Sequence, residues 1–149
     1  MTVKKLVVFA LIGMLFGCDT GPSSPLGFSL PMGDIAKGEV VFNKYQCIAC
    51  HSLEGHEQES VAKELNKPVA LGGKSTRIMT YATLVTSIIN PSHKIAGRYN
   101  ADNLQADGSS KMRNYNDVMS VQELIDLVSF LQPKYQLIPY ERTHYERYR

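Results

Sequence analysis

The pentapeptide Cys47-Ile48-Ala49-Cys50-His51 constrains this chain more than any other feature. Two thiols three residues apart on a helical turn, followed directly by an imidazole, form the attachment signal for c-type haem. Both sulfurs can reach the vinyl groups along one edge of a porphyrin, and the adjacent His swings beneath the ring to present a nitrogen to the iron. Two other chemistries use paired cysteines. In an oxidising compartment Cys47 and Cys50 would join as a disulfide. A zinc site is the other, although no second Cys/His pair stands at suitable spacing.

The first residues read as an address. Lys4 and Lys5 precede an apolar run from Leu6 to Phe16, broken only by Gly13. A bilayer-spanning helix needs roughly 20 apolar residues, so this run suits a secretory signal over residues 1–17. It ends in Leu15-Phe16-Gly17-Cys18, which resembles a bacterial lipoprotein signal in which Cys18 is lipidated. Cleavage elsewhere, or an uncleaved anchor, is the alternative. Diacylation of Cys18 would supply more than one acyl chain, the condition for stable anchoring. Asp19 beside it resembles an inner-membrane retention signal. The expected location is therefore the periplasmic side of a bacterial membrane, with the inner membrane favoured.

Residues 19–33 hold three Pro, three Gly and four Ser or Thr with no helical or strand period. They read as a flexible tether with an r.m.s. span of ~20 Å, leaving residues 34–133 as the folded domain and 134–149 as a tail. A chain of 149 residues with 44% hydrophobic content is one globular domain, neither collagen-like nor disordered. The charge balance is 16 Lys and Arg against 14 Asp and Glu, and loss of Lys4 and Lys5 with the signal leaves 14 of each. Nucleic-acid binders carry clustered positive charge, so no nucleic-acid partner is expected. The three cysteines are accounted for by lipid on Cys18 and thioethers on Cys47 and Cys50.

Periodicity predicts three helices and no strand. Asp34–Gln46 begins at a capping Asp34, with Ile35, Val41, Phe42 and Tyr45 on an apolar side. Gly38 in its middle costs ~1 kcal/mol relative to Ala, so it reads either as a weak spot or as the place where another helix comes close. Tyr81–Ile89 carries Leu84, Val85, Ile88 and Ile89 on a buried face and stops at Asn90-Pro91. Ser120–Gln132 opens with a capping box, Ser120-Val121-Gln122-Glu123. It places Val121, Leu124, Ile125, Val128 and Leu131 at helical spacing, and Pro133 follows. A covalently held haem would supply the centre that so small a core lacks.

The sixth iron ligand must come from far along the chain. Met112, in the polar loop 109–116, is the expected residue, because Met/His ligation serves electron-carrying centres and raises the potential. The soft thioether favours ferrous iron. Met119 and Met79 read as core filler. His93, beside Pro91, is the rival ligand; His56 stands too close to His51 to reach the other face. An open site is the remaining option.

Residues 34–132 resemble a class I monohaem cytochrome c. The likeness rests on Gly33 to Phe42, on Cys47 to His51, on Met112 to Tyr115 and on Glu123 to Leu131. It implies a small all-α cytochrome c fold, about three main helices with long loops wrapped around one covalently bound haem. It implies thioethers at Cys47 and Cys50, axial ligands His51 and Met112, and no catalytic residues. It places Gly38 and Phe42 against Phe130 or Leu131 where the first and last helices cross. It also assigns the hydrogen bond from His51 to the carbonyl of Pro68. Arg113 stands where the family commonly has Pro.

With both axial positions filled, one-electron exchange is the expected activity, with redox proteins of a membrane respiratory chain as donor and acceptor. The alternatives are a haem subunit of a larger respiratory or sulfur- or nitrogen-oxidising complex, and a haem enzyme or gas sensor with an open iron. Glu54, Glu57 and Glu59, opposed to Lys94, Arg98, Lys111 and Arg113, would orient a partner. The tail alternates Tyr135, Tyr140, Tyr145 and Tyr148 with Arg142, Arg147 and Arg149. It is expected to dock on a partner subunit, to fold over its own domain, or to fray.

Overall fold

A computed structural model describes residues 28–57, 61, 63–65, 67–95 and 103–139. The chain divides into two compact units, residues 1–30 and 31–149. Of the first, the described residues 28–30 are irregular. Cys18, Arg98, Glu59 and residues 140–149 lie outside the described residues.

In the second unit the order is α1 (Ile35–Lys44), a 3₁₀ turn (Cys47–Ala49), β1 (His51–Ser52), β2 (Val69–Ala70), β3 (Gly73–Ser75), α2 (Tyr81–Ile89), α3 (Val121–Leu131), a second 3₁₀ turn (Gln132–Lys134) and β4 (Tyr135–Leu137). All three helices occur where periodicity predicts them; α1 and α3 start at their expected caps, and the structure adds Thr80 as the cap of α2. Asp34 Oδ1 accepts from the backbone N–H of Ala36 and Lys37. Thr80 Oγ1 accepts from Thr83 N–H. Ser120 and Glu123 close a reciprocal capping box, an arrangement that satisfies two otherwise orphan donors.

The core lies where α1 and α3 cross. Phe42 and Phe130 are each 1% exposed, with ring centroids 5.7 Å apart. A Cβ on Gly38 would stand 2.1 Å from the carbonyl oxygen of Asp126 and 2.6 Å from Phe130 Cβ. Gly38 is therefore the point of closest approach rather than a weak spot. Gly33 is seated in the same way against Ile125, and its N–H donates to Ser129 Oγ at 3.0 Å. The end of the Pro/Gly-rich segment is thus fastened to α3.

The expected faces are buried through Val41, Phe42, Leu84, Val85, Ile88, Ile125, Val128 and Leu131, but three apolar residues at helix ends are not. Ile35 is 57% exposed and Val121 64% exposed, because the first turns of α1 and α3 lie outside the crossing. Ile89 faces solvent at the end of α2. In their place Gly38, Leu127, Phe130 and the carboxylate of Asp126 are buried. Asp126 Oδ1 accepts from Asp34 N–H at 2.8 Å and from Gln122 Nε2 at 3.0 Å, and so caps the entry to α1 from a different helix.

The expectation of no strand is corrected. Two parallel two-stranded pairs exist, β1 with β2 and β3 with β4. Each strand is two or three residues long, too short for an alternating pattern to register. The start of the tail folds over its own domain: Tyr135–Leu137 pairs with Gly73–Ser75, and Ile138 N–H donates to Ser75 O at 2.9 Å.

Candidate functional site

The chain leaves α1 through Gln46, whose φ of 52° turns it sharply into the 3₁₀ turn that carries Cys47. A left-handed backbone at a residue other than Gly is uncommon, and here it stands directly before the cysteine motif. The helical turn expected under the two cysteines is a 3₁₀ turn. Lys63 Nζ donates to Ile48 O and Glu64 N–H to Ala49 O, each at 2.9 Å, so the segment 63–64 clasps it from outside.

Cys47 and Cys50 are both free thiols, so the disulfide is not formed. Burial pushes the Cys47 thiol up to about 11. Burial also raises Cys50, with a further contribution from the neighbouring Glu64 carboxylate. Both sulfurs are protonated and nucleophilically quiet near neutrality. Among the described residues, no group of three or more His, Cys, Asp or Glu could hold a metal ion.

His51 follows on β1. Parallel pairing sets His51 beside Val69, through Val69 N–H to Cys50 O and Leu71 N–H to Ser52 O, both at 2.9 Å. His51 Nδ1 lies 3.1 Å from the Val69 carbonyl oxygen. That carbonyl only accepts, so Nδ1 carries the proton and Nε2 keeps its lone pair. Burial, opposed by this hydrogen bond, holds the imidazole below its ordinary pKa and therefore neutral. The acceptor is Val69 rather than Pro68. The two-residue strand pairing brings the carbonyl after Pro68 into register with the ring.

These residues open on a cavity of about 610 Å³, within the range of small-molecule sites. Cys47, Cys50, His51 and Met112 all line it, with Phe42, Leu84 and Leu131 among its apolar contacts. Met79 lines it too, contrary to its reading as filler. His93, His56 and Met119 do not. His56 is instead engaged by Glu39 at 3.3 Å and stacked edge-on against Phe42 and Phe130. Of the methionines and histidines weighed as ligands or as filler, His51, Met79 and Met112 line the cavity.

Met112 is delivered by a pinned loop. Gln105 N–H donates to Ser109 O at 2.8 Å across a turn with Gly108, and Lys111 N–H donates to Asn103 O at 3.1 Å. Ser110 N–H reaches Ser92 Oγ, Met112 N–H reaches Ser110 Oγ, and Asn116 Nδ2 reaches Ile89 O, all at 3.0–3.1 Å. Arg113 turns onto the Tyr115 ring, 5.7 Å from its centroid.

The donor set fits haem: two thiols, a neutral imidazole with a free lone pair, and thioether sulfur around one apolar cavity. Asn103 also lines it, with a buried side-chain oxygen that has no hydrogen-bond partner. Turned about, that amide offers N–H to a carboxylate. Lys67, Lys94, Lys111 and Arg113 along the wall suit a cofactor with two carboxylates. Three of these are the basic residues read from the sequence; Glu54 and Glu57, expected to oppose them, are exposed and line no part of this cavity.

Fold and cavity together define a small helical domain whose paired cysteines and neighbouring histidine open on one largely apolar cavity. The family model described as cytochrome c matches residues 35–133, and the chain belongs to that family. Membership implies covalently bound haem c, and such a domain supports haem-based electron transfer. No match was found among curated proteins or among solved structures.

Proposed function

We propose that this chain is a membrane-tethered one-electron carrier with a single haem c, bound through Cys47 and Cys50 and ligated by His51 and Met112. The observation that carries the reading is the shared cavity, onto which both thiols, the imidazole and the Met112 thioether open. When bound, haem supplies the Fe(II)/Fe(III) couple. The chain's own residues do the rest. Val69 holds the His51 ring in one tautomer, which fixes the orientation and basicity of a metal ligand. Phe42, Leu84 and Leu131 exclude water, which limits reorganisation when charge changes. The loop bonds from Asn103 to Asn116 keep Met112 in place, so that neither axial position is left for a substrate.

Lipidation of Cys18 would tether the domain through residues 19–30 to the periplasmic side of a bacterial membrane, the inner membrane by the Asp19 signal. Donor and acceptor would then be redox proteins of that membrane. Among the described residues no helix is long and apolar enough to cross a bilayer.

The test is spectroelectrochemistry of the exported protein. A reversible one-electron wave, low-spin spectra in both states and no carbon monoxide binding to the reduced form are expected. Rapid carbon monoxide binding at neutral pH would favour an open-site enzyme or sensor and overturn the carrier reading.

A further inference from the structure

Glu64 differs from every other charged residue at the cavity. Lys67, Lys94, Lys111 and Arg113 are cationic, and Glu64 is the one acidic residue among those lining it. Its backbone N–H donates to Ala49 O at 2.9 Å, so the turn that carries both cysteines decides where it sits. Its carboxylate Oε2 accepts from Cys50 Sγ at 3.5 Å. Lys63 Nζ donates to Ile48 O, and Glu64 makes no ion pair among the described residues. Burial chiefly raises the Tyr115 hydroxyl, and Glu64 is the last and smallest of the charges that add to it.

We propose that Glu64 tunes the reduction potential of the site: its carboxylate, held against the second attachment cysteine, favours ferric over ferrous iron. This rests on the haem reading of the cavity. On attachment the Cys50 S–H adds across a vinyl double bond, with sulfur bonding to the carbon beside the ring and hydrogen to the terminal carbon. No electrons are gained or lost. Glu64 then loses its sulfur donor and stands as an anion beside the thioether edge. The oxidised centre carries one more positive charge than the reduced one, so a fixed anion stabilises it and lowers the potential. Glu64 is exposed to solvent, and screening keeps the effect moderate.

The experiment is potentiometric titration of full-length, haem-loaded wild type and of Glu64→Gln, Glu64→Asp and Glu64→Lys, with absorption spectra of each. At the wild-type midpoint, Glu64→Gln is expected to raise the ferrous-to-ferric ratio severalfold, where a tenfold rise corresponds to 59 mV for one electron. Glu64→Lys should raise it further and Glu64→Asp should stay near wild type, all with unchanged spectra. The shift should shrink in high salt. A Glu64→Gln midpoint equal to wild type, a Glu64→Lys midpoint no higher than that of Glu64→Gln, or loss of covalent haem from Glu64→Gln would each overturn the proposal. A flat series in haem-bearing protein would overturn this inference alone; wild type without haem would overturn the cofactor reading and this inference with it.

Discussion

His51 gives its Nδ1 proton to the carbonyl oxygen of Val69 across 3.1 Å, and this bond decides which ring nitrogen faces a metal. Because the acceptor is backbone, shortening the side chain at 69 leaves it intact. Val69→Ala should therefore retain low-spin spectra in both redox states, whereas His51→Ala should lose them. Altered ligation in Val69→Ala would show that the Val69 side chain, not its carbonyl, orients the ring.

Met79 and Met112 both line the cavity, and the proposed carrier uses Met112. Met112→Ala should abolish the thioether-to-iron charge-transfer absorption, lower the potential and admit carbon monoxide. Met79→Ala should keep that absorption and cost less stability than the about 2–5 kcal/mol of a fully buried Met-to-Ala change, because Met79 is only half-buried. The reverse pattern would move the ligand to Met79.

At the helix crossing, a methyl group on Gly38 has nowhere to go, with Asp126 O at 2.1 Å and Phe130 Cβ at 2.6 Å. Gly38→Ala should gain ~1 kcal/mol in helix propensity but lose more by forcing the helices apart, since overpacking costs about 1–3 kcal/mol and sometimes more. Equilibrium denaturation should show a net loss. A stabilised Gly38→Ala protein would mean that the helices separate at little cost.

Asp126 is 3% exposed and holds the Asp34 N–H at 2.8 Å. Asp126→Ala leaves that donor and Gln122 unpaired, which costs about 1–3 kcal/mol for each group that stays buried. Asp126→Asn keeps an acceptor oxygen and should lie between the two. Equal stability of Asp126→Ala and wild type would remove this carboxylate from the account of α1.

Glu123 gives a pH dependence with a definite sign. Hydrogen bonds, first from Lys44 and then from the Ser120 N–H and the Tyr45 hydroxyl, hold its carboxyl at about 2 against an ordinary 4.5. Between those values the unfolded chain binds more protons, so stability rises with pH. The contribution is complete above about 4.5 and is lost as the pH falls towards 2. Glu123→Gln should flatten the acid limb of the stability curve and leave its neutral region nearly parallel to wild type. An unchanged acid limb would contradict this.

The parts of the molecule legible in the sequence were those written locally. The three helices follow from apolar spacing and, for α1 and α3, from the caps Asp34 and Ser120; the Thr80 cap of α2 emerges only in the structure. The proximal half of the site follows from five consecutive residues. What periodicity missed depends on contacts far apart in the chain. Asp126 reads as one more charged helix residue until Asp34, 92 residues away, supplies its partner. Val69 becomes the His51 acceptor only through a strand pair two residues long. Glu64 joins the site through a backbone bond to Ala49. Met79 has the sequence surroundings of a packing residue and still reaches the cavity. Phe130 against Phe42 came from family likeness, and the crossing of α1 and α3 bears it out.

Intact-mass measurement of protein exported by a host that matures c-type cytochromes, made under denaturing and reducing conditions, tests the covalent site most directly. The expected mass is that of the processed polypeptide, with the lipid proposed on Cys18, plus one haem, with neither Cys47 nor Cys50 open to alkylation. A mass without haem, with both thiols alkylated after reduction, would contradict it.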